Sequence, residues 1–395
     1  MRIEKEKQEI AKVLGNTKII LLIFVLIIAI GFIVYFVVEH NKNKNSEENQ
    51  ISNQINKEKQ NTNTENDLFS ENQIEKKLNE LNLEQKIGQL FIIGFKGKII
   101  SKEIENLIKE IHPGGILLLK ENIENEKQLK ELINSLQEIA LQDTGLPLFI
   151  AVDQEGGIIS RIDWIDKIPQ SEIKSTVQAK QIGIDRGREL KKLGINLNLA
   201  PLIDTTFEND FIFERSFQKD SIKTGELATA LIQGQKQSGI FSTIKHFPGY
   251  GKISFNPENK LAYLDKTPHI SQFQKAYQAF PEMIMISNVV YRDIEEDIPF
   301  SFSKKSINFL KKEIQGDYLI ISDDLAQNSL LDKFSLEKIV VSPIRAGMDL
   351  LIFSGWRTPV TNGVKAFQEA VSNNEISEER INQSVIKIID LKQKI

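Results

Sequence analysis

The chain has 395 residues, a net charge of −4 at pH 7 and no cysteine. This length accommodates one large or two medium domains, and the small net charge gives no indication of a nucleic-acid partner. The absence of cysteine excludes a disulfide framework, a thiolate metal site and lipid attachment through a cysteine.

Residues 19–38 form an uncharged apolar run in which Gly31 and Tyr35 are the mild interruptions. At 1.5 Å per residue the run spans about 30 Å, the thickness of a bilayer core. A cleaved signal peptide is the alternative, but its apolar core is about 7–15 residues long and is followed by a small-residue cleavage site. We therefore expect residues 19–38 to be an uncleaved transmembrane helix.

The segments on either side of this run predict its orientation. Residues 1–18 contain one arginine and four lysines, more basic residues than the segment that follows the run. The positive-inside rule then places residues 1–18 in the cytoplasm and the rest of the chain outside a single-pass cell membrane anchor. Residues 39–73 are polar and of low complexity, which predicts a disordered linker between the anchor and the following domain.

From residue 74 onward, short apolar runs alternate with amphipathic stretches such as Glu126–Ala140, Glu172–Leu193 and Ser221–Gln237. Eight of the runs are typical of buried parallel strands, although runs this short also occur in buried helices. This alternation favours a single α/β domain over residues 74–395, a (β/α)8 barrel of the TIM type, over a doubly wound sheet. The predicted strands are Leu90–Phe95, Gly115–Leu119, Leu148–Asp153, Leu197–Asp204, Phe241–Lys245, Met283–Asn288, Tyr318–Asp323 and Leu350–Ser354.

Polar residues stand at or just after the ends of five of these strands. A single aspartate in such a place is more often a helix cap or a turn residue. Five strands that end in this way favour a shared site, because the carboxyl ends of barrel strands meet at one face. The residues are Asp153, Asp204, Lys245 with His246, Asn288 and Asp323.

Several motifs resemble those of glycoside hydrolase family 3, in its β-N-acetylglucosaminidase branch. The resemblance extends in order over about residues 76–395 and does not include the predicted anchor and linker. The motifs are Asp153-Gln154-Glu155-Gly156-Gly157 with Arg161, Leu199–Asp204, Glu214–Phe217, Lys245-His246-Phe247-Pro248-Gly249-Tyr250-Gly251, Ser322-Asp323-Asp324-Leu325 and Arg345–Leu351.

This resemblance implies a retaining glycosidase that releases terminal β-linked N-acetylglucosamine from cell-wall-type glycans. Asp323 matches the family nucleophile. Consecutive side chains diverge at a strand end, so we expect Asp324 to cap the next helix. The residues expected to contact the sugar are Asp153, Arg161, Arg215, Lys245 and His246. The four histidines are scattered and no GxGxxG motif or P-loop is present, so we expect no metal and no cofactor.

The sequence departs from the family pattern in the loop that carries the acid/base. The family has Asp-x-His where this chain has Asn256-Pro257-Glu258, and Tyr250 and Asn288 also stand where the family usually has histidine. Glu258 is a hypothetical acid/base, since a carboxyl group in apolar surroundings can protonate a leaving group. The alternatives are a membrane-anchored sugar-binding protein without catalysis and a scaffold with a relic barrel. The sequence gives no indication of the oligomeric state.

Overall fold

The computed structural model describes residue 31, residues 72–355 and residues 358–395. The predicted cytoplasmic segment 1–18, transmembrane helix 19–38 and linker 39–73 therefore lie outside the described residues, apart from residues 31, 72 and 73. Within the described residues, no helix combines the length and the apolar character needed to cross a bilayer. The chain divides after Gln73, and the barrel belongs to the unit Ile74–Ile395.

Eight parallel strands form the central sheet of this unit, and their neighbour order is β11-β9-β7-β6-β3-β2-β1-β12. A bridge between Ile321 and Leu350 brings the two edge strands together, so that the sheet is nearly closed into a barrel. The strands of the described residues are β1 (Phe91–Ile93), β2 (Gly115–Leu118), β3 (Phe149–Val152), β4 (Gln154–Gly156), β5 (Ile159–Ser160), β6 (Leu197–Asn198), β7 (Phe241–Phe247), β8 (Tyr263–Leu264), β9 (Met283–Ile286), β10 (Val290–Tyr291), β11 (Leu319–Ser322) and β12 (Leu351–Phe353).

Helices lie before, between and after the barrel strands along the chain and cover the outside of the sheet. Among the described residues, eight helices follow a Ser, Asn or Asp cap whose side chain accepts a hydrogen bond from the first turn, which fixes the start of the helix. The helices are α1 (72–80), α2 (Leu83–Gln89), α3 (Lys102–Ile111), α4 (Glu126–Asp143), α5 (Thr176–Leu193), α6 (Ser221–Gln237), α7 (Ser271–Ala276), α8 (Lys304–Glu313), α9 (Asn328–Leu331), α10 (Leu336–Ala346), α11 (Val360–Ser372) and α12 (Glu378–Lys392).

The predicted barrel is confirmed, and each of the eight predicted strands is present, although most are shorter than their apolar runs. The largest difference is in Leu197–Asp204, of which only β6 is regular strand, because Pro201 has no N–H for a strand ladder. The amphipathic stretch Glu172–Leu193 contains α5 but begins before it. Gln170–Glu172 form a short 3-10 turn, and Ser175 caps a helix that begins at Thr176.

The carboxyl ends of all eight barrel strands lie at one face, where the strand-to-helix loops converge. Buried apolar side chains from several strands close the barrel beneath this face and form the floor of a pocket. They are Leu117, Leu199, Met285 and Ile352. The fold therefore presents polar side chains above an apolar floor.

Candidate active site

A pocket of about 610 Å³ opens at the carboxyl ends of the barrel strands. All seven residues that the sequence predicted for catalysis or substrate binding line this pocket, although they are far apart in the chain, from Asp153 to Asp323. They are Asp153, Arg161, Arg215, Lys245, His246, Glu258 and Asp323.

One side of the pocket is a charge cluster formed by Asp153, Glu155, Arg161, Arg215 and Lys245. Lys245 Nζ lies 2.7 Å from Asp153 Oδ1 and 2.6 Å from Glu155 Oε1. Arg215 donates from Nε and Nη2 to the two oxygens of Glu155, at 3.1 and 2.8 Å. Paired in this way, buried charges keep a fixed arrangement of donors at the pocket wall.

The cations of the charge cluster hold its two carboxyl groups in the ionised form. Burial alone would raise the pKa of Glu155, but the charges of Arg215 and Lys245 outweigh it and lower the pKa to about 2. The same competition lowers the pKa of Asp153, for which Lys245 and Arg161 are the main opposing charges. In return, the carboxylates raise the pKa of Lys245 against the effect of its burial.

Arg161 has a donor that the protein leaves unused. Its Nη2 lies 3.5 Å from Asp153 Oδ2, whereas its Nε is buried and has no hydrogen-bond partner among the described residues. A buried donor without a partner is costly unless a ligand supplies an acceptor. Arg161 lines the pocket, but its Nε is shielded from the open space, so a ligand oxygen would reach it only after a local rearrangement.

The loop after β3 is fixed by Arg186 of α5, which is fully buried. Its Nη1 donates to the Glu155 carbonyl oxygen at 2.7 Å, and its Nε and Nη2 donate to Asp166 Oδ1 at 3.1 and 2.6 Å. Gly156 has a φ of +99°, and a Cβ there would lie 2.1 Å from the Ile168 carbonyl oxygen, so only glycine fits. The loop therefore keeps Glu155 next to Lys245 and Arg215.

Asp204 organises the turn that follows β7. Its Oδ1 accepts from the Tyr250 N–H at 2.7 Å. Its Oδ2 lies 3.1 Å from both the backbone nitrogen and Nδ1 of His246. The His246 and Tyr250 rings stack with centroids 4.4 Å apart and an interplanar angle of 7°. Asp204 is 1 % exposed and supports these two side chains from beneath the pocket.

Asp323 follows β11 and faces the pocket. Its Oδ2 accepts a hydrogen bond from the Tyr250 hydroxyl at 2.6 Å, and its Oδ1 accepts one from the Asp324 N–H at 2.7 Å. Both oxygens therefore have a protein donor, and the carboxyl group is held at the end of its strand.

Asp324 lines the pocket, and its carboxylate oxygens also accept hydrogen bonds from neighbouring loops. Its Oδ1 accepts from the N–H groups of Ala326 and Ser354, at 2.9 and 3.1 Å, and its Oδ2 accepts from the Ser354 hydroxyl at 2.5 Å. These contacts join the loop after β11 to the end of β12. The expectation that Asp324 caps the next helix was wrong, because its Oδ1 binds the loop at Ala326 and α9 follows Gln327 without a side-chain cap.

Glu258 lies on the loop between β7 and β8, and its carboxyl group borders the same pocket as Asp323. The loop is fixed by a hydrogen bond from the Glu258 N–H to Asn256 Oδ1 at 2.9 Å and by one from the Ser329 N–H to the Glu258 carbonyl oxygen at 2.9 Å. Glu258 is exposed by its overall surface, but it borders the pocket, where partial desolvation and the negative charge of Asp323 raise its pKa above the usual value.

Two of the polar residues at strand ends do not line the pocket. Asp204 supports it as described above, and Asn288 is 5 % exposed. Asn288 Nδ2 donates to the Asp324 carbonyl oxygen and to Gln327 Oε1, both at 3.2 Å, while its Oδ1 accepts from the Ser301 hydroxyl at 2.7 Å. Asn288 therefore braces the loop that carries Asp324.

The sequence reasoning missed Glu155 as a partner of Arg215 and Lys245 and treated Tyr250 only as a departure from the family pattern. Glu155 belongs to the same motif as Asp153 and is 0 % exposed, so its place in the motif was the available signal. No sequence signal connects Tyr250 to Asp323, because the two residues are 73 positions apart.

The comparisons with known proteins agree with this geometry. The chain matches the model of the glycosyl hydrolase family 3 N terminal domain over residues 82–391. It is 32% identical over 287 residues to a β-hexosaminidase of Haemophilus influenzae, and the aligned region covers 68% of this chain and 80% of that protein. It is 26% identical over 332 residues to the β-hexosaminidase LpqI of Mycobacterium tuberculosis, and the aligned region covers 78% of this chain and 82% of that protein.

A solved structure of a family 3 β-N-acetylglucosaminidase from a Paenibacillus species is similar to this fold, with a TM-score of 0.75 and 29% identity. The match covers 80% of this chain and 62% of that chain. The family match over most of the chain, the relatives and the shared barrel lead to one conclusion: the chain belongs to glycosyl hydrolase family 3, in its β-hexosaminidase branch.

Proposed function

We propose that this chain is a retaining glycoside hydrolase that releases terminal β-linked N-acetylglucosamine from cell-wall-type glycans. The observation that carries the proposal is the pair of carboxyl groups on one pocket. Asp323 accepts a hydrogen bond on each oxygen, whereas burial and the charge of Asp323 raise the pKa of Glu258. Two carboxyl groups in such different environments suit a nucleophile and an acid/base.

The reaction would proceed in two steps. In the first, Asp323 attacks the anomeric carbon, the bond from that carbon to the leaving oxygen breaks, and Glu258 gives its proton to that oxygen. In the second, Glu258 takes a proton from water, the water oxygen attacks the anomeric carbon, and the bond to Asp323 breaks. Each step returns Glu258 to the protonation state that the next one needs.

The rest of the pocket suits a neutral sugar. The charge cluster offers fixed donors and acceptors to hydroxyl groups. The floor formed by Leu117, Leu199, Met285 and Ile352 offers apolar contact beneath these groups. Sugars combine hydroxyl groups with C–H faces, so a pocket of this composition is complementary to them.

The experiment that tests the proposal compares two β-N-acetylglucosaminides with the full chain, one with an activated aryl leaving group and one with an ordinary sugar as leaving group. An activated group departs without a proton, so its release requires Asp323 but not the acid. We expect Asp323→Asn to abolish both reactions. Glu258→Gln should slow release of the sugar leaving group about 10²–10⁴-fold and affect the first step with the aryl substrate far less.

Glu121→Gln is the matched control, since Glu121 is another glutamate that lines the pocket. It should leave the ratio of the two rates unchanged. Equal losses with both substrates in Glu258→Gln would contradict the acid/base role. Cleavage of neither substrate by the wild type, with sugar binding still measurable, would favour the sugar-binding alternative.

We also propose that residues 19–38 anchor the protein in the cell membrane with the barrel on the outside, on the strength of their apolar run and the basic residues before them. The full chain should stay in the membrane pellet after alkaline extraction, and deletion of residues 19–38 should release it. Protease added to intact cells should digest the barrel. Recovery of the full chain in the supernatant would contradict the anchor.

A further inference from the structure

Tyr250 is in direct contact with the proposed nucleophile. Its hydroxyl donates a hydrogen bond of 2.6 Å to Asp323 Oδ2, and the residue is 5 % exposed. The family motif that this segment resembles has histidine in this place. The chain therefore puts a phenol where the motif has an imidazole, and this phenol reaches the strand that carries Asp323.

The Tyr250 ring is fixed from two sides. Its backbone N–H donates to Asp204 Oδ1 at 2.7 Å, and its ring stacks on His246, which is itself held by Asp204. Gly249, the preceding residue, has a φ of +121°, which turns the chain back toward the pocket. The turn thus directs the Tyr250 hydroxyl at Asp323, and these contacts hold the ring in one orientation.

The hydroxyl remains a donor throughout the working pH range. Burial and the negative charge of Asp323 raise the pKa of Tyr250 well above its usual value. The phenol therefore keeps its proton, and it stabilises negative charge on its partner without transferring a proton to it.

We propose that Tyr250 is a positioning residue that holds the Asp323 carboxylate and stabilises it as the leaving group when the glycosyl-enzyme is hydrolysed. This inference rests on the proposed glycosidase function. In that second step the water oxygen bonds to the anomeric carbon, and the electron pair of the breaking bond returns to Asp323. The water proton goes to Glu258, and the proton of Tyr250 stays on its oxygen.

The hydrogen bond acts in opposite directions on the two steps. It is strongest when Asp323 carries its full charge, and it weakens when the carboxylate oxygen is bonded to the sugar. It therefore makes the free carboxylate a slightly weaker nucleophile in the first step. In the second step it stabilises the charge that returns to Asp323, as a preorganised donor does at any developing anion.

The test is the kinetics of Tyr250→Phe in the full chain with the activated aryl N-acetylglucosaminide. Removal of the donor should lower kcat about 10–100-fold, the range expected for a lost hydrogen bond to a charged group. KM should fall in parallel, so that kcat/KM changes by less than about threefold. A burst of aryl product should appear, and intact mass spectrometry should show the sugar covalently bound to the variant.

Tyr291→Phe is the matched control. The Tyr291 hydroxyl is also buried and contacts the same turn, at the Gly249 carbonyl oxygen and at Ser287, but it does not contact Asp323. This variant should lower the melting temperature and should show no burst. Any effect that both variants share comes from the packing of the turn and not from the nucleophile.

The outcomes separate this inference from the function on which it rests. An active wild type together with a Tyr250→Phe variant whose kcat and kcat/KM fall in parallel, without a covalent intermediate, would overturn the role of Tyr250 alone. Unchanged kinetics in this variant would do the same. A wild type that releases no aryl product and forms no covalent adduct would overturn the proposed function, and the inference with it.

Discussion

Glu155 lies 2.6 Å from Lys245 Nζ and accepts two hydrogen bonds from Arg215, so one buried carboxylate balances two cations of the pocket wall. Glu155 itself is fully buried. It acts on any ligand through the two cations. The charge on this carboxylate is thus a condition for both the stability and the shape of the site.

We expect Glu155→Gln to destabilise the fold by roughly 3–5 kcal/mol, since it leaves the buried Arg215 cation without its carboxylate partner, while Lys245 keeps only Asp153. The free energy of unfolding in urea measures this loss. Glu124→Gln, at an exposed glutamate of the same domain, should stay within about 0.5 kcal/mol of the wild type. Equal stability of the two variants would show that the charge of Glu155 is not needed.

The pH dependence of stability should carry the signature of Glu155. Its pKa falls from 4.5 to about 2 on folding, so its contribution is fully present above about pH 4.5 and is lost as the pH falls toward 2. The difference in unfolding free energy between wild type and Glu155→Gln should therefore shrink over this range. A difference that stays constant from pH 5 to pH 2 would contradict the low pKa.

Glu258 should set the alkaline side of the pH–rate profile for substrates with a sugar leaving group. In the proposed mechanism the protonated form is the active acid, so activity should be present below its pKa and lost as the pH rises through it. Because burial and the charge of Asp323 raise this pKa, activity should persist to a higher pH than an ordinary glutamic acid allows. In Glu258→Gln this alkaline decline should disappear from the residual rate, and its persistence would assign the decline to another group.

Lys392 is a buried cation far from the pocket residues in sequence, and Gln89 accepts its hydrogen bond at 2.6 Å. Burial lowers its pKa from 10.5 to about 7. The unfolded chain therefore binds the proton more strongly, and stability should rise as the pH increases from about 7 to 10.5. Below about pH 7 the full penalty applies, and a shift of this size corresponds to roughly 3–5 kcal/mol.

Lys392→Met should accordingly stabilise the protein at pH 6–7, and the gain should diminish as the pH approaches 10.5. Thermal unfolding across this pH range measures the effect. Lys394→Met, at an exposed lysine near the same end of the chain, should have little influence at any pH. Destabilisation by Lys392→Met at neutral pH would show that the hydrogen bond to Gln89 outweighs the burial of the charge.

Asp204→Asn should lower kcat/KM about 10–100-fold, since an amide nitrogen would face donors that now bind a carboxylate oxygen. The amide keeps one oxygen, so either the Tyr250 N–H or the two His246 nitrogens would lose their acceptor, and the turn that places His246 in the pocket would shift. Asp220→Asn is the control, because asparagine caps α6 as well as aspartate does. Wild-type kinetics in Asp204→Asn would mean that the turn keeps its shape without this anchor.

The barrel could be predicted from the sequence because its strands are buried on both faces. Such strands appear as short apolar runs bounded by polar or turn residues, and the pairing of parallel neighbours follows from their order along the chain. The predicted ends of these elements were less accurate than their number and order. Pro201 shortens one strand, and the cap at Ser175 moves the start of α5, since local backbone chemistry overrides the apolar pattern there.

The sequence by itself also determined which face holds the site, since residues that follow parallel strands meet at one end of a barrel. It did not determine which side chains enter the pocket. Asp204 and Asn288 support it from beneath, while Tyr250 crosses to Asp323 and Glu155 joins two cations. These pairings depend on the direction of side chains on different strands, and only the closed packing of the barrel fixes those directions.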